Sequence, residues 1–183
     1  MPFDHFDVIA PIFARTNYPS LDMMRRLAAL PTKGRLLDVG GGTGRVTSGL
    51  RADVDEIVIA DVSMGMLKQS ASLPGLQVVG GYSEALPFPD ASFERIIMVD
   101  ALHHVISHTE SAREMARVLK PGGRIVIQEP DIKTFGVKLI AMAEKLLLMR
   151  SHFLSADSIA GLFPNARTNI ILEDSSAWVV VEK

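Results

Sequence analysis

The stretch Asp38-Val39-Gly40-Gly41-Gly42-Thr43-Gly44 has the residue types to hold a charged small molecule. It follows an apolar run and opens a helical pattern. Glycines there let the backbone turn tightly and come close to a ligand, while free N–H groups at a helix start favour a carboxylate or phosphate. Asp61 ends a second apolar run, 23 residues after Asp38, close to the spacing of the ribose-binding acid in doubly wound folds. A carboxylate there can accept hydrogen bonds from both ribose hydroxyls, so a nucleotide-type ligand is expected. A glycine-rich turn with no ligand would leave the strand, helix and second acid in register without a purpose.

Glycine spacing narrows the ligand. A dinucleotide fingerprint G-x-G-x-x-G starting at Gly40 needs glycine at position 45, where the chain has Arg45. The pattern is instead D-x-G-x-G-x-G, and its leading acid suits a positively charged ligand group better than a pyrophosphate. No Tyr-x-x-x-Lys pair follows the fourth strand, which also weighs against a nicotinamide-dependent oxidoreductase.

His103 and His104 follow a fourth apolar run, at the carboxyl edge where open α/β sheets bind ligands. Histidine titrates near neutrality and can take a proton from a phenol, enol or amine. Packing or helix capping is the competing use, and His104 is the candidate of the two for a catalytic role. His104 and His108 stand at i and i+4, but no acid-rich partner set accompanies them and no metal is expected. The nine methionines, Met23, Met24, Met142 and Met149 among them, are expected to be core filler at helical spacing rather than a substrate channel.

From residue 35 to 130, β-branched runs alternate with helical patterns, the signature of a parallel sheet with helical crossovers. Strands are predicted at Arg35–Val39, Glu56–Ala60, Leu76–Val79, Arg95–Val99 and Arg124–Gln128. Helices are predicted at Gly44–Arg51, Ser63–Ser72 and Thr109–Leu119, the last stopped by Lys120-Pro121-Gly122-Gly123. Ahead of this core, Asp4–Leu30 reads as two helices broken near Tyr18-Pro19. Behind it, Thr134–Met149 and Ala156–Phe163 read as helices, and Thr168–Leu172 and Ala177–Glu182 as an antiparallel hairpin. The fold class is therefore α/β: a doubly wound, Rossmann-like, seven-stranded, mostly parallel sheet with an antiparallel C-terminal hairpin.

At 183 residues the chain is expected to form one domain. Residues 1–34 are N-terminal helices, 35–130 a ligand-binding core, 131–163 a short helical cap and 164–183 the hairpin. Nineteen basic against 21 acidic residues give a net charge of −2, which offers no bulk attraction for nucleic acid. No cysteine is present, so disulfides and thiolate chemistry are excluded. The stretch Val137–Met149 is interrupted by Lys138, Glu144 and Lys145, so no membrane span is expected. The opening residues lack a secretory pattern, and a cytoplasmic location is expected.

Four stretches together make the sequence similar to class I S-adenosylmethionine-dependent methyltransferases, in particular the type 11 group that includes the ubiquinone and menaquinone C-methyltransferases. They are LLDVGGGTGR (36–45), IADVS (59–63), GYSEALPFPDASFERI (81–96), and LHHV (102–105) with REMARVLKPGG (113–123). FDVIAPIFARTN (6–17) is also similar to the N-terminal helix of the quinone-methylating members. The resemblance implies direct methyl transfer to a small-molecule acceptor, the alternative being a non-catalytic or degenerate S-adenosylmethionine-binding protein.

It also implies roles. Asp38 with the backbone of Gly40 and Gly42 would hold the methionine part of the cofactor, and Asp61 the ribose hydroxyls. Val62 and Met66 would cover adenine, and the Asp100 carbonyl would meet the cofactor's amino group. Where the family commonly reads Gly-Asp-Ala-Glu, this chain reads Gly81-Tyr82-Ser83-Glu84. Tyr82 replaces the acid that binds the adenine amino group, which leaves recognition to the Ser83 backbone or to stacking. Phe6, Phe13, His103 and His104 would wall the acceptor side. The cap is about thirty residues by this reading, which suits a small substrate, cover from a second subunit in a homodimer, or an open site. Asp61, at the ligand-facing edge of the sheet, is expected to add little to the core.

Overall fold

The computed structural model describes residues 20–133, 152–173 and 175–183. The helices expected over 4–19 and 134–149, with Phe6 and Phe13, lie outside the described residues.

Strands β1 (Arg35–Val39), β2 (Glu56–Asp61), β3 (Leu76–Gly80), β4 (Phe93–Val99), β5 (Leu119–Pro130), β6 (Arg167–Glu173) and β7 (Ser176–Glu182) form one seven-stranded sheet. The order is β3-β2-β1-β4-β5-β7-β6. The first five strands in that order run parallel, while β7 pairs antiparallel with both β5 and β6. The hairpin therefore folds its last strand inward and leaves β6 at the edge.

The central strands read as continuous apolar runs because both faces are covered. Successive side chains of a strand point to opposite faces, and neighbours in sequence accordingly feed different cores. Leu37, Val58, Ile96, Ile127 and Val179 join one cluster with Met115 and Val118. Leu36, Ile57, Ile97, Val126 and Trp178 join the other with Met24 and Leu50. Burying each such side chain stabilises the fold by about 1.5–3 kcal/mol.

Four helices are described: α1 (Leu21–Leu27), α2 (Met64–Ser70), α3 (His108–Val118) and α4 (Ala156–Gly161). Each has a serine N-cap whose hydroxyl accepts a backbone N–H: Ser20, Ser63, Ser107 and Ser155. The helix expected over Gly44–Arg51 is only a 3-10 turn, Thr47–Leu50, because Gly44 takes a φ of +74° that no right-handed helix accommodates. Beyond α3, the expected stop Lys120–Gly123 is already part of β5. Leu119 ends the helix itself by adopting extended geometry.

Chain direction across the sheet reverses between β1 and β4. From β1 the chain proceeds outward to β2 and β3, and from β4 it proceeds the other way to β5. Loops leaving the carboxyl ends of β1 and β4 thus diverge and open a crevice, the place where open α/β sheets hold ligands.

Candidate active site

The loop after β1 holds three left-handed glycines, Gly44 and the two that line the crevice. Gly40 has φ +71° and Gly42 φ +53°, a region in which a side chain costs about 1–2 kcal/mol. Space is short as well: a Cβ on Gly40 would lie 2.6 Å from the Cβ of Ala101, and one on Gly42 3.0 Å from Met66 Sδ. The crevice floor is therefore bare backbone from the β1 loop against the start of the β4 loop.

Two aspartates brace this loop. Asp38, only 2% exposed, accepts a hydrogen bond from the Thr47 hydroxyl and lies directly under Gly41, where a Cβ would meet its Cγ at 2.5 Å. Asp61 accepts from Gly42 N through Oδ2 (2.9 Å) and from Ser63 N through Oδ1 (2.8 Å). It is 9% exposed. The expectation that Asp61 adds little to the fold is corrected here: it ties the glycine loop to the start of α2 with two charge-assisted bonds.

Beside Asp61, Val62 is exposed and Met66 half-buried, an apolar rim of the kind a nucleobase covers. Tyr82 is 59% exposed. The Ser83 hydroxyl is engaged with Ser111 Oγ at 2.7 Å and Glu84 Oε2 at 3.1 Å, so recognition through Ser83 would fall to its backbone.

Asp100 follows β4 with φ +49°, a strained value for a residue with a side chain. Its N–H donates to Gln128 O at 3.0 Å. Downstream, two acids grip the turn. Glu129 Oε1 accepts from Ala101 N (2.9 Å) and Leu102 N (2.7 Å), and Glu84 Oε1 accepts from Ile106 N (2.7 Å) and Ser107 N (3.0 Å). His103 and His104 ride on the segment held between them. His103 is buried, with Nδ1 2.5 Å from Glu129 Oε2 and its ring stacked on Phe153 at 4.4 Å. His104 is partly exposed, its ring centroid 3.9 Å from that of His103.

Sequence reading did not single out Glu129. Its signal was the one that marked Asp61, an acid at the carboxyl end of a buried strand.

The electrostatics favour a cation. Burial pushes the Asp38 carboxyl up to about 7, opposed by the Thr47 bond and reinforced by the charge of Asp61. Burial also lifts Asp100 to about 6; Glu129 adds to this, while His103, Arg45 and Gln128 oppose it. His104 is pushed down to about 3, first by burial and then by the charge of His103. Buried carboxylates kept from ionising by burial and by one another have most to gain from a positive ligand group. Among the described residues, no three His, Asp or Glu side chains are grouped to share a metal ion, and no helix is long and apolar enough to cross a membrane.

Comparison with known proteins agrees with this arrangement. Residues 37–127 match the family model for a methyltransferase domain, type 11. The chain is 37% identical over 142 residues to a demethylmenaquinone methyltransferase of Renibacterium salmoninarum, covering 72% of this chain and 59% of that protein. It is 36% identical over 155 residues to the Mycolicibacterium vanbaalenii protein of the same name, covering 84% and 65%. The chain thus spans less than two thirds of the length of these curated relatives. Among solved structures, the YcgJ protein of Bacillus subtilis superposes with a TM-score of 0.73 at 25% identity, over 84% of this chain and 70% of that one. A methyltransferase of Aquifex aeolicus, 16% identical, superposes with a TM-score of 0.72 over 89% of each chain and shows the shared fold. The glycine loop, the paired aspartates and the switch-point crevice all fall within the matched segment, and the chain belongs to the type 11 group of class I S-adenosylmethionine-dependent methyltransferases.

Proposed function

We propose that this protein transfers a methyl group directly from S-adenosylmethionine to a small-molecule acceptor in the cytoplasm. The observation that carries the reading is the bare glycine floor at Gly40 and Gly42, set over buried Asp38 and braced by Asp61. Such a donor set fits a ligand with a cationic end and a ribose. When bound, the cofactor supplies a methyl carbon already made electrophilic by its sulfonium, so alignment is the protein's main task and can itself lower the barrier by several kcal/mol, about 7–11 at best.

In this reading Asp38, Gly40 and Gly42 hold the methionine end, and Asp61 uses its remaining lone pairs on the ribose hydroxyls. Val62 and Met66 cover adenine, the Ser83 backbone meets its edge, and the Asp100 carbonyl faces the amino group. His104 stands on the acceptor side. Because the relatives are named for demethylmenaquinone, a hydroxylated ring of the reduced quinone type is the first acceptor to test. Calorimetry should show S-adenosylhomocysteine binding in preference to NAD, and labelled S-adenosylmethionine should pass its methyl group to such a ring. Tighter NAD binding, or no transfer across a panel of ionisable rings, would overturn the reading.

His104 is neutral throughout the physiological range, since its pKa lies near 3. It can accept a hydrogen bond from an acceptor hydroxyl. A base this weak takes up no proton near neutrality, so His104→Ala should leave S-adenosylhomocysteine affinity unchanged and lower kcat for a hydroxylated acceptor no more than about tenfold, the loss of one orienting hydrogen bond. Undiminished turnover would remove this hydrogen bond to the acceptor and leave alignment by the rest of the site standing.

Proton uptake supplies a second test. Asp38 has a folded pKa of about 7 against an ordinary 3.8, so the folded protein without ligand binds this proton more tightly than the unfolded chain. That stabilisation is complete below 3.8 and is lost as pH rises through 7. A cationic ligand reverses the balance and expels the proton. At a pH of about 6.5, just below the folded pKa, S-adenosylhomocysteine binding should release most of one proton, read from the buffer dependence of the calorimetric enthalpy. Asp38→Asn, which still accepts from Thr47, should remove most of the release and leave only the smaller share of Asp100, which titrates near 6.

A further inference from the structure

Glu129 and His103 form a deeply buried polar pair beside the site, 3% and 5% exposed. Their bonds run in two directions. One carboxylate oxygen caps Ala101 N and Leu102 N, the N–H groups that follow the strained Asp100 and open a 3-10 turn. The other takes the His103 ring at Nδ1. The ring lies nearly parallel to Phe153, 11° between planes, and the His103 carbonyl accepts from His152 N at 2.8 Å. Residues 152 and 153 enter α4 through its N-cap Ser155.

We propose that Glu129 and His103 are a positioning dyad joining the Asp100–Leu102 turn to the chain that enters α4, so that a ligand seated on the turn also orders the wall at His152 and Phe153. A buried carboxylate that serves three donors cannot shift without exposing all three, and such networks move as units. Order imposed on the turn is in this way carried through the carboxylate to the His103 ring and to the chain beside it. His103 acts through its neighbours rather than on the reacting atoms. This inference rests on the cofactor-binding reading above, because the Asp100 turn is assigned to the cofactor there.

Hydrogen exchange on the full chain, with and without S-adenosylhomocysteine, tests the dyad without any acceptor. In the wild type the ligand should slow exchange both at Ala101–Leu102 and in the peptide that contains His152 and Phe153. In Glu129→Gln and His103→Phe the ligand should still bind, weakened no more than about tenfold, while its protection of the 152–153 peptide disappears. Phe153→Leu leaves the carboxylate, its donors and the His152 N bond intact and removes only the ring stack, so it reads the same coupling if Glu129→Gln fails to fold; its protection should fall to an intermediate level. Undiminished ligand-dependent protection at 152–153 in Phe153→Leu or in either dyad variant overturns the proposal. So does its absence in a wild type that binds the ligand. A wild type that does not bind S-adenosylhomocysteine defeats the cofactor reading and this inference together.

Discussion

Gly40→Ala is expected to reduce S-adenosylhomocysteine affinity about 100-fold and to lower the melting midpoint by about 10 °C. Two terms add. Alanine at φ +71° costs about 1–2 kcal/mol, and a Cβ placed 2.6 Å from that of Ala101 forces the β1 and β4 loops apart for about 1–3 kcal/mol more. Both loops line the crevice, so the displacement falls on the ligand site itself. Gly122→Ala is the control. Gly122 has φ +75° but nothing within 4 Å of an added Cβ, so that variant bears only the same backbone term, about 1–2 kcal/mol, with no change in affinity. Equal effects from the two variants would show that the contact with Ala101 is unimportant; affinity within threefold of wild type in Gly40→Ala would remove the bare-floor account of the site.

Asp61→Ala is expected to weaken the cofactor at least as strongly and to destabilise the fold as well. The carboxylate accepts from Gly42 N and Ser63 N in the absence of ligand, and hydrogen bonds to a charged group contribute about 1.5–3 kcal/mol each. Losing them frees the glycine loop from α2 and leaves two N–H groups to find water. If two ribose hydroxyls also depend on this acid, affinity falls by a further two such bonds, and titration should find no binding at millimolar ligand. Asp61→Asn separates the contributions: its amide oxygen satisfies one donor, while its NH₂ group faces the other. Its midpoint should lie between those of wild type and alanine variant, with affinity nearer the latter. A melting midpoint unchanged in Asp61→Ala would show that the loop holds without the acid, and unchanged affinity would remove its ribose role.

The two variants also show where sequence and structure divide the information. Gly40 and Gly42 were legible because a left-handed backbone demands glycine, a constraint that acts through the residue itself and its immediate neighbours. The strand Arg35–Val39 is found at its expected limits, since Leu36 feeds one core and Leu37 and Val39 the other, the alternation a strand covered on both faces requires. By contrast, Asp61 was legible as a ligand-facing acid but not as a brace. Its two donors come from the loop after β1 and from the start of α2, and only parallel pairing of β1 with β2 brings the first of them within reach.

His103 illustrates the same division more sharply. From the sequence, two adjacent histidines after a strand were equivalent in kind, and both were set on the acceptor side. Their separation into a buried partner of Glu129 and a partly exposed neighbour depends on residues 26 positions apart and on the ring of Phe153. By itself the sequence determined the strands of the sheet, the crossover helices after β2 and before β5, the glycine turn and the acids at strand ends, because each follows from local periodicity, backbone strain or the burial of single residues. Tertiary structure alone decided which acids hold backbone, which histidine is sealed away and which carboxyls are kept from ionising. Those properties arise from burial and from charges brought together by the pairing of β1, β4 and β5, and no spacing along the chain encodes them.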